Sequence, residues 1–387
     1  MYMRGFFHCR ARPWLSDSTQ PTADRFALYS VPIAPHGGPL VSAPLKLAFI
    51  GCGRRALAHA PGVKAEPRLQ VVALADPKAE NAAALNEALG TSAPVFADYH
   101  DMLDKAKPDV VISALWTPLH LPVFRDCVAA GVKGVLSEKP MAPTWADCRA
   151  LAKLAEDSGV LLTFCHQRRF AEGNRVARRL INEGAFGEVT RLDLFSPPHL
   201  LDCGTHTFDQ AFSFLNETPV KWVLGGLDAT KPIRYFDLAA ETMAVGTVVY
   251  ENGVRASFQV GGPDRGVMQT GVRVVGTGGF LEVLWDGEIV GGARFDDPAW
   301  RPPTVAVERE AFMVGVVRDA TECLLSGAEP ELSWRKALRA AEVIFAIYES
   351  IRRHARVELP LTGVDDNPFT SMLDAGAFAD AAARAPS

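Results

Sequence analysis

From Lys46 onward, short apolar runs alternate with amphipathic stretches. Leu47-Ala48-Phe49-Ile50 reads as a buried strand, and Gly51-Cys52-Gly53-Arg54-Arg55-Ala56 opens a helix directly after it. A second apolar run, Leu69 to Ala75, ends at Asp76 before a helix that starts near Lys78. The alternation continues with the strand Val110 to Ser113, a helix from Leu121 to Ala130, the strand Val132 to Leu136, a helix from Thr144 and the strand Val160 to Phe164. Strands that keep alternating with helices predict an α/β fold, a doubly wound parallel sheet of Rossmann type over residues 45–165.

The pattern then changes period. After a helix around Arg175 to Glu183, closed by Gly184, strand-like stretches follow one another: Glu188 to Phe195, Val220 to Leu224, Thr242 to Tyr250, Val254 to Val260, Gly271 to Val275 and Phe280 to Leu284. Asn252-Gly253 and Gly278-Gly279 are hairpin turn signals between them. Helices at Arg309 to Leu325 and Trp334 to Arg353 end the region, the second with Ala337, Ala341, Ile344, Phe345 and Tyr348 on one stripe. Residues 166–362 are thus expected to form an α+β domain with an open, largely antiparallel sheet. A sheet with one bare face needs cover, which predicts a homodimer or homotetramer packed through that face. The first 44 residues, with Pro13, Pro21, Pro32, Pro35, Pro39 and Pro44, are expected to be a disordered extension or, alternatively, an arm clasping a neighbouring subunit. The tail 363–387, rich in Ala and Asp, reads the same way.

Composition narrows the partners. With 48% hydrophobic and 22% charged residues, 387 residues suffice for two cores. The formal net charge of -5, without a long basic run, gives no footprint for nucleic acid or an anionic membrane surface. No run approaches the ~20 apolar residues of a membrane span. The seven cysteines are scattered singly, which favours neither a zinc site nor a disulfide framework and fits a reducing, cytoplasmic setting. A small-molecule partner is favoured and no metal is expected.

The chemistry starts at the glycine turn, a GxGxxA pattern. Gly51 permits the tight turn, Gly53 lets backbone amides approach a pyrophosphate at the positive end of the helix, and Ala56 allows close packing. Such a loop alone is a weak signal. Asp76, twenty residues beyond Ala56 at the end of the next strand, strengthens it, because a carboxylate there accepts hydrogen bonds from an adenosine ribose and repels a ribose phosphate. That favours NAD; Arg54 and Lys78 lie close enough in sequence to keep NADP open. Asp76 could also cap the following helix.

Immediately after a strand stands Ser137-Glu138-Lys139-Pro140. With His59, Phe96-Ala97-Asp98-Tyr99, Pro108-Asp109-Val110-Val111, His120, Gln167-Arg168-Arg169-Phe170 and Asp202-Cys203-Gly204-Thr205-His206, it resembles the Gfo/Idh/MocA family of glucose-fructose oxidoreductases and inositol dehydrogenases. The resemblance covers about residues 45 to 362. It implies an NAD(P)-dependent oxidoreductase acting on a secondary hydroxyl of a sugar, sugar derivative or cyclitol, or on the matching ketone. Glu138 and Lys139 then lie beside the nicotinamide end, and Lys139, Asp202 and His206 are the implied catalytic residues. Cys52, Arg54, Arg55, Leu115, Trp116 and His120 join the glycines and Asp76 on the cofactor side, and Gln167, Arg168 and Arg169 face the substrate. In helical spacing Asp202, His206 and Asp209 share a face, so Asp202 is expected to orient the imidazole of His206, which takes the hydroxyl proton while Lys139 donates to the oxygen. Taken singly, Asp202 could be a helix cap, His206 a satisfied core histidine and Lys139 a solvated charge. Of the two arginines, at most one is expected to point inward and the other to pair at the surface.

Two departures stand out. The family commonly has a Thr-Pro pair shortly before the histidine matched by His120, where counting back gives Leu115-Trp116; Trp116 could wall the cofactor, stack on a sugar face or simply pack. Ser196 to Leu201 is a short connection, which implies a more open site or one completed by another subunit. Redox-neutral glycoside hydrolysis or elimination with tightly held NAD, and a non-catalytic cofactor sensor or scaffold, are the alternative readings.

Overall fold

The computed structural model describes residues 43–235, 238–261 and 271–378. The expected N-terminal extension lies, apart from residues 43 and 44, outside these, as does the tail from 379 onward.

The first sheet holds β1 (Leu45–Ile50), β2 (Leu69–Ala75), β3 (Val95–Phe96), β4 (Val110–Ser113), β5 (Gly134–Ser137) and β6 (Leu161–Phe164). Its order is β3-β2-β1-β4-β5-β6, and every pairing is parallel. The central strands β4 and β5 are buried at every position, as a parallel sheet covered on both faces requires. Helices α1 (Arg54–Lys64), α2 (Ala79–Leu89), α3 (Tyr99–Ala106), α4 (His120–Ala129) and α5 (Trp145–Ser158) make the crossovers. Local chemistry sets their ends: Thr144 caps α5 by accepting from the Asp147 amide at 3.1 Å, and Gly90 and Gly159 close α2 and α5 in the left-handed conformation. The strand order reverses between β1 and β4, and the crevice beyond their carboxyl ends is where such sheets bind ligands.

After α6 (Glu172–Asn182) comes the second sheet. It contains β7 (Val189–Ser196), β8 (Val220–Asp228), β11 (Met243–Tyr250), β12 (Arg255–Gly261), β13 (Gly271–Gly276), β14 (Gly279–Leu284), β15 (Ile289–Arg294) and β16 (Val357–Glu358), with a separate short ribbon of β9 (Ile233–Tyr235) and β10 (Leu238–Ala240). The order is β15-β14-β13-β7-β12-β11-β8-β16, antiparallel except that β7 and β12 run parallel. Helices α7 (Thr205–Phe214) and α9 (Trp334–Arg353) lie on one face: the buried Ser350 hydroxyl accepts from the Gly225 amide at 2.9 Å. On the other, Leu224 and Val245 are exposed at 44% and 40%, among Arg191, Arg255 and Glu282.

Three features differ from expectation. Helix α8 (Arg309–Ser326), expected among the elements of the second region, returns to the first sheet, where Val317 and Ala320 join Leu47, Leu74 and Val110 in one core. The strands β9, β10, β15 and β16 were not legible, since they are short or, like Ile289–Arg294, interrupted by Gly291-Gly292. The segment after Thr362 is ordered into α10 (Pro368–Asp374), capped by Asn367 and anchored by fully buried Phe369 against Tyr348. Its few apolar residues do the packing that its Ala- and Asp-rich average concealed. Among the described residues no helix is long and apolar enough to cross a membrane.

Candidate active site

Gly51 has φ +80, and a Cβ on it would lie 2.8 Å from the Ala114 carbonyl oxygen, so only glycine lets β1 and the end of β4 approach here. Gly53 is the N-cap of α1, and a Cβ there would meet nothing within 4 Å. The turn therefore leaves open space in front of the first amides of a helix, a cradle that fits an anionic pyrophosphate. Asp76 holds it in shape: its buried carboxylate accepts from the Cys52 amide at 2.7 Å, the Lys78 amide at 2.8 Å and the Asn81 side chain at 3.2 Å. Burial, and then the Asp76 charge, push the Cys52 thiol up to about 12 and keep it protonated. Arg54 and Lys78 are exposed.

Glu138 follows β5 and turns inward. It accepts from Arg55 Nη2 at 2.8 Å and lies 2.9 Å from His59 Nε2, a partner the motif reading had not assigned to the site. Burial would raise this carboxyl, but the hydrogen bond from His59 and the Arg55 charge override it and hold it at about 2. Arg55 and Glu138, both expected on the cofactor, are thus engaged with each other and tie α1 to the end of β5. His59, Glu138 and Cys165 bring ligand-type atoms within 4.8 Å of one another, but Arg55 lies on two of the three, 3.9 Å from the Cys165 sulfur.

Around β4 and α4, His120 is buried with Nδ1 3.1 Å from the Met141 carbonyl and Nε2 3.3 Å from that of Leu115. It spans two backbone segments that border the crevice. Trp116 is 59% exposed, so the packing alternative does not hold. Thr117-Pro118 opens the short helix just before His120, with Thr117 buried; a Thr-Pro pair is thus present, two residues later than the expected Leu115-Trp116 position.

Lys139 reaches across to the second region and donates to Asp202 Oδ1 at 2.5 Å and to the Asp202 carbonyl at 3.1 Å. Asp202 sits in a wide turn, Leu200–Gly204, in which the Gly204 amide reaches back five residues to the His199 carbonyl at 2.9 Å. A pocket beside this pair is lined by Thr117, Pro140, His199, Leu201, Asp202 and Tyr235. His206 is buried in the first turn of α7, and its Nδ1 has no hydrogen-bond partner among the described residues. The expected orientation of His206 by Asp202 is therefore corrected: the carboxylate is turned to Lys139, and the wide turn sets Asp202 apart from the helix proper. Burial, followed by the charges of Arg168 and Lys139, lowers the His206 pKa well below its ordinary value and keeps the imidazole neutral. His166 stands edge-on to it at 5.5 Å and hydrogen-bonds Thr205 at 3.0 Å.

Gln167 is half-buried and accepts weakly from the Cys165 thiol at 3.6 Å. The expectation that one neighbouring arginine is a surface residue is also corrected, since Arg168 and Arg169 are each only 6% exposed. Arg169 pairs with Asp209 at 2.8 Å, Glu217 at 2.6 Å and Glu331 at 3.2 Å, which also removes Asp209 from the expected polar stripe. Those acids lie 40 to 162 residues away along the chain, too far for any local pattern to reveal. Among the described residues Arg168 makes no such pair; its guanidinium stacks on Trp285 at 4.5 Å.

Comparison with known proteins bears on the fold and the family. Residues 45–166 match the model of an oxidoreductase family with an NAD-binding Rossmann fold, and residues 191–359 match that family's C-terminal alpha/beta domain. The chain is 28% identical over 346 residues to the D-apiose dehydrogenase of Paraburkholderia graminis, covering 81% of this chain and 89% of that one. It is 33% identical over 147 residues to an inositol 2-dehydrogenase of Klebsiella pneumoniae, 37% of this chain and 43% of that one. The WlbA dehydrogenase of Bordetella pertussis, solved with NADH and UDP-GlcNAcA, superposes with a TM-score of 0.69 over 84% of this chain and all of that one; at 22% identity the likeness is one of fold. With both halves matched in order, the chain belongs to the Gfo/Idh/MocA oxidoreductase family and carries its NAD-binding Rossmann fold.

Proposed function

We propose that this chain oxidises a secondary hydroxyl of a sugar, sugar derivative or cyclitol, or reduces the matching ketone, at the crevice between the glycine turn and α7. The observation that carries the reading is the ammonium of Lys139, its side chain 13% exposed, held 2.5 Å from Asp202 beside a buried, neutral His206. D-apiose and inositol dehydrogenases among the relatives support the substrate class.

Gly51, Gly53 and the first amides of α1 would hold NAD, with Asp76 toward the ribose and Leu115, Trp116 and His120 toward the nicotinamide end; when bound, it accepts or returns the hydride of the carbinol carbon. Lys139 donates a hydrogen bond to the hydroxyl oxygen and stabilises the negative charge that develops there. Asp202 keeps the ammonium in place. A neutral imidazole has a free nitrogen lone pair, and His206 takes the hydroxyl proton through it. A second copy of this chain covers the exposed Leu224 and Val245 face; a monomer in light scattering at micromolar concentration would reject that part.

The test is a panel of sugars and cyclitols with NAD, followed at the NADH band. Lys139→Ala is expected to lower kcat/KM on the substrate found by on the order of 1,000-fold while NAD binding persists. Undiminished turnover by the variant would sink the assignment.

A further inference from the structure

Glu241 is a fully buried carboxyl in the short link between β10 and β11, and it takes no part in the proposed hydride and proton transfer. Each of its oxygens has a donor. Oε1 accepts from the Leu200 amide at 2.5 Å, and Oε2 accepts from the Tyr348 hydroxyl of α9 at 2.8 Å. Tyr348 is held in its turn, buried and stacked on Phe369 of α10 with ring centroids 5.3 Å apart. Ala240 and Tyr348, on either side of the carboxyl, line the pocket beside Asp202 together with Leu201, so Glu241 lies behind a wall of that pocket.

Leu200 is the first residue of the wide turn that carries Asp202. Just before it, His199 has φ +83, a conformation that few residues other than glycine adopt and that persists only where the surroundings enforce it. Within the turn, the Cys203 and Gly204 amides close on the His199 carbonyl at 3.0 and 2.9 Å. Those bonds set the shape of the turn but not its place in the molecule. The bond from Leu200 to Glu241 ties its start to α9, and a hydrogen bond fixes direction as apolar packing of Leu200 does not. Much depends on that place. Lys139 donates to both the carboxylate and the carbonyl of Asp202, so its ammonium follows the backbone there, and His206 stands two residues beyond the end of the turn.

We propose that Glu241 is a positioning residue, which through the Leu200 amide sets where Asp202 stands and hence where Lys139 holds its ammonium. This rests on the proposed oxidation of a secondary hydroxyl at Lys139 and His206. What is asked of Glu241 is an acceptor for the Leu200 amide and a polar partner for Tyr348. A glutamine supplies both, its carbonyl toward the amide and its NH2 toward the tyrosine oxygen, whereas a methionine fills the space with at most a weak acceptor.

The experiment uses the full chain with NAD and the sugar or cyclitol that it oxidises, and follows Glu241→Met, Glu241→Gln and Tyr348→Phe. It measures kcat, KM, NAD affinity by fluorescence titration, and hydrogen exchange of the backbone amides of residues 196–206 by mass spectrometry. Glu241→Met is expected to lower kcat on the order of 100-fold while NAD affinity changes by less than about twofold, because a small misplacement of the reacting groups is costly and the glycine turn is untouched. Glu241→Gln should regain most of that loss, and Tyr348→Phe, which leaves the Leu200 bond in place, should lose about tenfold. Exchange at residues 200–204 should quicken in Glu241→Met and not in Glu241→Gln. An unchanged kcat in Glu241→Met, a fall in which NAD affinity shares equally, or a glutamine variant as impaired as the methionine one would overturn the proposal. If Glu241→Met does not fold, Tyr348→Phe decides: undiminished kcat there overturns it as well. If the wild type oxidises nothing, the oxidation reading falls, and exchange still tests the anchor: quickened at residues 200–204 in Glu241→Met it stands, unchanged it falls too.

Discussion

At the glycine turn the buried carboxylates are answered from within the chain, although Arg55 Nε and His59 Nδ1 have no partner among the described residues, whereas around His206 a buried arginine is paired to no carboxylate. Asp76 is closed by two backbone amides and Asn81, and Glu138 by Arg55 and His59. Among the described residues, Nε and Nη1 of Arg168 and Nδ1 of His206 have no hydrogen-bond partner. The first arrangement fixes the shape of a binding surface before anything binds. The second leaves buried nitrogen atoms unpaired, and such groups lower stability. Closed charges should therefore show up in stability when cut, and open ones in activity.

The sharpest contrast is between two neighbours. Arg169→Met would strand Asp209 in the core and is expected to destabilise the protein by about 4 kcal/mol in denaturant titration. A loss below ~1 kcal/mol would mean that this network is not closed.

Glu138→Gln tests the brace between α1 and β5. Its folded pKa of about 2 lies below the reference value of 4.5, so its contribution is present above about pH 4.5 and is lost as pH falls toward 2. At neutral pH the variant should lose about 3 kcal/mol, and its stability should depend less steeply on pH over that acid range than the wild type's. Parallel acid limbs for the two proteins would break the argument.

Asp76→Asn keeps an acceptor for the Cys52 amide but removes the charge that repels a ribose phosphate. The ratio of NAD to NADP affinity, read by fluorescence titration, should fall by about tenfold. The smallest effect is expected at Arg168: Arg168→Met removes an unpaired buried charge and should raise stability by about 1 kcal/mol, opposite in sign to its neighbour. A large loss there would show that Arg168 is structural after all.

Much of the fold was legible because its signals are local. The strands Leu69–Ala75 and Val110–Ser113 announce themselves as apolar runs ended by polar or turn residues, and Asn252-Gly253 marks the hairpin between β11 and β12. The ribbon of β9 and β10 offered three residues a side, too few for a period to show. In the site, the glycine turn, Asp76 and Lys139 were visible because each follows directly on a strand. His59 was seen only as part of a motif, since its partner Glu138 lies 79 residues away.

The sequence by itself determined the order of strands and helices, the family, and which side chains stand at strand ends, for these depend on spacing over a few residues. Only the tertiary structure decided that Asp202 serves Lys139 instead of His206, that α8 returns to the first sheet, and which arginine of Arg168-Arg169 is bound. Two adjacent, chemically identical side chains point to different surroundings, and those surroundings are assembled from residues up to 162 positions away. No local rule can tell a paired charge from an open one until the chain has brought its partners into place.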